Sequence, residues 1–348
     1  MGIFYSITRN FALETGRAVA WAIKVLLSLS LILGLVSSLV NGVAMSFTPP
    51  DKKERQRAIG LTDEESQILR AALEPGDDFQ PLPEPGPDDW LANHHESGQT
   101  FEAFISSPRN RPDGVRKKIY LQPLDEFPAG SSPSLDRLRQ FAEAFFTMRV
   151  DVLPAIKLAD SFIETRANPY TGGQQLLTGD ILALLARQLP NDAYCLLGIT
   201  MHDLYPQPSW NFVFGQASYR ERVGVYSFAR YDPQFYDPEA AYDPELMLRR
   251  SCKVLAHETG HMFGIHHCIF FQCLMNGSNH LEESDARPLH LCPVDLRKLH
   301  QSLQFDVLDR YRQLLDFYTE VGFDDEAGWL RERIEEQTSR SADFPVKR

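Results

Sequence analysis

The stretch HETGHMFGIHHC, residues 257–268, does most to limit what this chain can fold into. His257 and His261 are four residues apart, so on an α-helix their imidazoles share one face, one turn apart. Two imidazoles so placed can bind one zinc ion at Zn–N distances of about 2.0–2.1 Å. Glu258 projects beside the pair without needing to ligate. There it can take a proton from an activated water and pass it to a leaving amine. A catalytic zinc needs a third protein ligand and an open position. Gly264 stands three residues past His261, and glycine adopts the positive φ that ends a helix at no steric cost. The chain can then turn back and present His267. His266 is the rival, but successive side chains on extended chain point apart. The spacing H-E-x-x-H-x-x-G-x-x-H selects His267.

Upstream of this stretch, strand and helix patterns alternate. KKIYLQPL (117–124), VDVLPAI (150–156), AYCLLGITMHDLY (193–205), NFVFGQAS (211–218) and VGVYSFARY (223–231) read as five strands. LDRLRQFAEAFF (135–146) reads as an amphipathic helix capped by Ser134, and LLTGDILALLARQL as another with Thr178 placed to cap it. Asp243-Pro244-Glu245 opens the helix that carries His257 and His261. Pro293 can open a last long helix running to Val321. The pattern predicts an α/β (α+β) fold: a mixed, twisted five-stranded sheet with helices packed on it and 211–218 as an antiparallel edge.

The formal net charge of −12 argues against nucleic acid, whose phosphates need a basic surface. Five cysteines are too few for a disulfide scaffold. Four of them, at 252, 268, 273 and 292, lie in one stretch, as a local site would place them. Cys195 and Cys252 read as buried small apolar residues. Val25–Val43 is nineteen residues without a charge, about 28 Å long as a helix and enough to cross a bilayer. It predicts a membrane-associated chain with a single N-terminal span. Basic residues on both flanks leave its orientation open. The other readings are a signal peptide cleaved after Ala44, or a translation start at Met45 that would make the chain cytoplasmic. The resulting division is a hydrophobic segment (1–47), an acidic Pro-rich lead-in (48–115), a catalytic domain (116–335) and a disordered tail (336–348).

The full histidine spacing is the signature of the metzincin metallopeptidases. His267-Cys268, Cys273-Leu274-Met275 and a later Cys-Pro-x-x resemble the archaemetzincins. The resemblance spans roughly residues 116–320. It implies a metzincin-like zincin catalytic domain, a small C-terminal helical subdomain and a methionine turn at Met275. It also implies that substrate runs antiparallel to an edge strand, here 211–218. In that family a second zinc is held by four cysteines, the first three matching Cys268, Cys273 and Cys292. Asp295 stands where the fourth belongs. A carboxylate can ligate zinc; equally, Asp295 suits the first turn of a helix capped by Cys292. His280, His290 and His300 are substitute ligands, and a Cys268–Cys273 disulfide is the alternative to a metal.

The expected activity is a zinc-dependent peptidase with Glu258 shuttling the proton, His257, His261 and His267 holding the catalytic zinc, and a second, structural zinc. Its partners are peptide or protein substrates and no nucleic acid. The alternative is a membrane-tethered zinc-binding module with little catalysis. The lead-in could also be inhibitory, with His94, His95 or an acid blocking the metal.

Overall fold

The computed structural model describes residues 47–342. In chain order the helices are α1 (Lys52–Ile59), α2 (Gln67–Leu73), α3 (Trp90–Asn93), α4 (Phe101–Ser106), α5 (Leu135–Phe146), α6 (Thr178–Gln188), α7 (Pro244–Met262), α8 (Leu281–Asp285), α9 (Pro293–Leu303), α10 (Val307–Val321) and α11 (Asp324–Ala342). The strands are β1 (Lys118–Leu124), β2 (Arg149–Val152), β3 (Thr165–Ala167), β4 (Gln174–Leu177), β5 (Ala193–Thr200), β6 (Asp203–Tyr205), β7 (Gly215–Ser218) and β8 (Val223–Ser227).

The main sheet has five strands in the order β2-β1-β5-β8-β7. Its first four strands run parallel, and β7 pairs antiparallel with β8 at one edge. This is the mixed five-stranded sheet that the strand patterns predict. Every residue of β5 and β8 is buried, as expected of parallel strands covered on both faces. On one face α6 inserts Ile181, Leu182 and Leu185 among Leu124, Leu196, Val223 and Val225. On the other face lies α7: a Cβ on Gly224 of β8 would come within 3.0 Å of Met262. Helix α5, capped by Ser134, buries Leu138, Phe141, Phe145 and Phe146 beside α7 and α10.

The expected strands are shortened for local reasons. The second ends at Val152, before Pro154, which has no N–H to continue a ladder. The 193–205 run breaks after Thr200, and β6 leaves the main sheet for a small one of order β3-β4-β6. Asp203 is drawn there by Arg230, which donates to both its carboxylate oxygens at 2.8 Å inside the protein. The expected 293–321 helix is two helices. Gln304 adopts a left-handed conformation and Asp306 caps the restart at Asp309 N, 2.8 Å away.

Two segments differ more. Residues 48–115 are not a loose lead-in: they carry α1 to α4 and bury Ala58, Ile59, Leu69, Leu73, Phe79, Phe101 and Phe104. Arg297 of α9 anchors this layer, donating to Ile59 O at 2.6 Å and Glu65 Oε1 at 2.7 Å while its guanidinium lies 3.8 Å over the Phe101 ring. Arg333 of α11 does the same at Ala72 O and over Phe79. The tail read as disordered from 336 continues as helix to Ala342.

The expected membrane association is corrected. Among the described residues no helix is long and apolar enough to cross a membrane. Val25–Val43, on which that expectation rested, lies outside the described residues.

Because the Arg297 guanidinium is buried with charged and carbonyl partners, Arg297→Ala should destabilise the protein by about 3 kcal/mol in urea denaturation. A loss under about 0.5 kcal/mol, that of an ordinary surface change, would mean the 48–115 layer is not anchored there.

Candidate metal centres and the cleft above them

Helix α7 starts where its sequence demands: Asp243 Oδ1 accepts from the backbone N–H groups of Glu245 and Leu246, and Pro244 occupies the first position. Nineteen residues later it stops, and Gly264 turns at φ +78° with its N–H bonded to His261 O at 2.9 Å. The chain reverses, and Cys268 N donates to Met275 O at 2.8 Å, closing a loop under the helix. Gly260 is the seat for that loop: a Cβ there would lie 2.7 Å from Met275 Sδ. Met275, where a methionine turn is expected, therefore packs against the helix that carries His257 and His261.

His257, His261 and His267 come together, each offering a ring nitrogen within 4.8 Å of the others. The Nε2 atoms of His257 and His261 stand 3.1 Å apart. Each Nδ1 has its own acceptor: Leu274 O for His257 at 3.0 Å, Ile265 O for His261 at 2.7 Å, and Glu96 Oε1 for His267 at 2.7 Å. With Nδ1 donating, Nε2 is left as the lone-pair atom that a metal needs. Burial, followed by the neighbouring imidazoles, holds His257 well below the usual histidine range and His261 at about 4. Both rings are then neutral at physiological pH, as ligands must be. His266, the rival, faces solvent. Glu258 lines the cleft beside these rings, and burial pushes its carboxyl up to about 7.

The cleft has a volume of about 590 Å³. Gly215, Gln216 and Ala217 of β7 form one wall, with Trp90, Trp210, Tyr231 and Arg287 around the rest. The segment expected to carry the edge strand, 211–218, becomes strand only from Gly215.

A second cluster lies on the other side of the loop. Cys268, Cys273, Cys292 and Asp295 each place a ligand atom within 4.8 Å of the rest, and all four are buried. Cys268 Sγ and Cys292 Sγ are 3.6 Å apart. That is close to the sulfur–sulfur separation of about 3.8 Å that a tetrahedron with Zn–S near 2.3 Å requires. Asp295 Oδ2 faces Cys273 Sγ at 3.3 Å, while Oδ1 accepts from Lys298 Nζ at 2.8 Å. Burial opposes charge at Cys268. Even so, thiol hydrogen bonds from Cys273 and Cys292 and the Lys298 ammonium hold it well below the usual thiol range. Burial and then the Cys268 charge push Asp295 up to about 7. The alternative disulfide is not formed, since all five cysteines are free. His280 bonds Asp89 and His290 stacks on Trp329 at 3.8 Å, so neither substitutes for Asp295, and His300 lies against Phe305.

Neither His94 nor His95 joins the histidine cluster; His94 stacks on Trp90 at 3.8 Å. The acid that reaches the site from the 48–115 segment is Glu96, and it meets His267 at Nδ1, the far side of the ring from Nε2. Sequence reading missed Glu96, Gln99 and Lys298. The first two act from about 170 positions away, and no local pattern links them to the motif.

Residues 191–301 match the model of peptidase family M54. The chain is 40% identical over 280 residues to archaemetzincin-2 of Macaca fascicularis, covering 72% of this chain and 78% of that protein. It is also 40% identical over 256 residues to archaemetzincin-1 of Mus musculus, covering 65% of this chain and 51% of that one. The crystal structure of an archaemetzincin from Methanopyrus kandleri aligns with a TM-score of 0.43 and 32% identity, covering 56% of this chain and 99% of that chain. With its histidine motif, its cysteine-rich loop and this degree of identity along most of its length, the chain belongs to the archaemetzincin family.

Proposed function

We propose that this zinc metallopeptidase cleaves peptide bonds in the cleft over α7, with His257, His261 and His267 holding the zinc and Glu258 moving the proton. The observation that carries this reading is the convergence of three imidazoles, each with its Nδ1 already bonded, beside a half-buried carboxyl in an open cleft. A donor set of three imidazole nitrogens with room for a water fits catalytic zinc. When bound there, the zinc supplies Lewis-acid polarisation and lowers the pKa of water.

The rest falls to the chain's own residues. Glu258 takes the proton of the attacking water and delivers it to the departing amine nitrogen. A carboxyl poised near neutrality suits both halves of that transfer. The outer edge of β7 offers backbone hydrogen bonds to an extended peptide, which would lie antiparallel to it as an added strand. Trp90 and Trp210 supply apolar walls for substrate side chains.

Cys268, Cys273, Cys292 and Asp295 we assign to a second, structural zinc. Supporting this are their mutual distances, their burial and the acidity of Cys268. The buried Lys298, 2.8 Å from Asp295, would offset part of the negative charge of three thiolates and a carboxylate.

Glu258→Gln should lower turnover of a quenched peptide library about 10²–10⁴-fold while zinc content stays unchanged; full activity in that variant would remove Glu258 from the mechanism. Elemental analysis of the purified protein should give two zinc ions per chain, falling to one in Asp295→Ala after dialysis against a weak chelator. One zinc in the parent protein would sink the second assignment.

A further inference from the structure

The third imidazole is held differently from the first two. His257 and His261 donate to carbonyls of the loop that follows their own helix, at Leu274 and Ile265. His267 donates to a carboxylate, Glu96, brought in by the layer that precedes the main sheet. The same Glu96 Oε1 also accepts from Trp90 Nε1 at 2.7 Å, and the Trp90 ring meets His267 edge-on at 5.1 Å. Trp90 is fixed in turn: its backbone N–H donates to Glu283 Oε1 at 3.0 Å, and its indole packs so tightly on Gly277 that no Cβ would fit there.

Three residues further on, the buried Gln99 grips the backbone of the turn. Its Nε2 donates to Gly264 O at 3.1 Å and its Oε1 accepts from His266 N at 3.2 Å. One amide therefore bridges both ends of the reversal that delivers His267.

We infer that residues 90–99 form a brace for the third ligand: Gln99 fixes the turn, and Glu96 is a positioning residue that holds the His267 ring with Nε2 facing His257 and His261. A carboxylate on Nδ1 fixes the tautomer and makes the imidazole a stronger donor; loss of such a partner typically weakens metal binding about 10–100-fold. The brace makes the 48–115 layer part of the active centre rather than a removable inhibitor. The inference rests on the reading that the three imidazoles hold zinc.

The test uses the full chain and graded chelator competition for zinc, with His257→Ala as reference. Cobalt substitution reports the cysteine cluster separately, through thiolate-to-cobalt absorption. Glu96→Ala should weaken the zinc that His257→Ala abolishes by about 10–100-fold and leave the thiolate absorption unchanged. Glu96→Gln, which keeps an oxygen acceptor but no charge, should lose less than Glu96→Ala but still measurably, by about 3–10-fold. Zinc affinity within twofold of the parent in Glu96→Ala would overturn the brace while leaving the histidine site intact. Should Glu96→Ala unfold and lose both signals, the folded Glu96→Gln decides: a measurable loss supports the inference and parent-like affinity refutes it. If His257→Ala changes no zinc affinity, the histidine site itself fails and the brace with it.

Discussion

The histidine cluster depends on the reversal at Gly264. Helix α7 can present only two histidines to one point in space, because a third on the same face would lie another turn away along the axis. The third must therefore return from beyond the helix, and the return must be tight. Gly264 supplies the backbone conformation at φ +78°, and the Cys268–Met275 backbone pair closes the loop against Gly260. The cleft, the edge strand above it and the second cluster below are all placed relative to that turn.

Charge shapes the cysteine cluster as strongly as geometry does. Three thiols and a carboxylate sit in an interior that disfavours every ionised form, which is why burial pushes Asp295 up. Lys298 is the one ammonium in direct contact with the carboxylate among the described residues, and it is itself buried. Asp295 turns one oxygen toward the Cys273 sulfur and the other toward this lysine. It also keeps its place in the first turn of α9, so the ligand and helix-start readings of that residue are compatible.

Much of this was legible in the residues. The histidine spacing, the stop at Gly264, the cap at Asp243 and the five-stranded mixed sheet all follow from local patterns of period and capping. What failed is long-range. The lead-in looked loose because its apolar residues are sparse and separated by acids and prolines. Its stability comes instead from Arg297 and Arg333, which satisfy its carbonyls and stack on its Phe rings from more than two hundred positions away. The strand run 193–205 was overread because its apolar pattern continues past Thr200, while Arg230, which draws Asp203 into the small sheet, lies 27 positions further along the chain. Glu96 carries no signal at all in sequence, for a glutamate in an acidic linker is the commonest thing there.

His267 and Cys268 are neighbours in the chain, yet one belongs to the histidine cluster and the other to the cysteine cluster. Leu274, which accepts from His257, is likewise flanked by Cys273 on one side and Met275 on the other. The loop between them is thus anchored twice at each end, once to each cluster, with a single peptide bond as the spacer. No residue can be inserted at those junctions without turning a side chain from one cluster toward the other. The two sites therefore share two fixed junctions of chain, and a shift at either junction disturbs both at once.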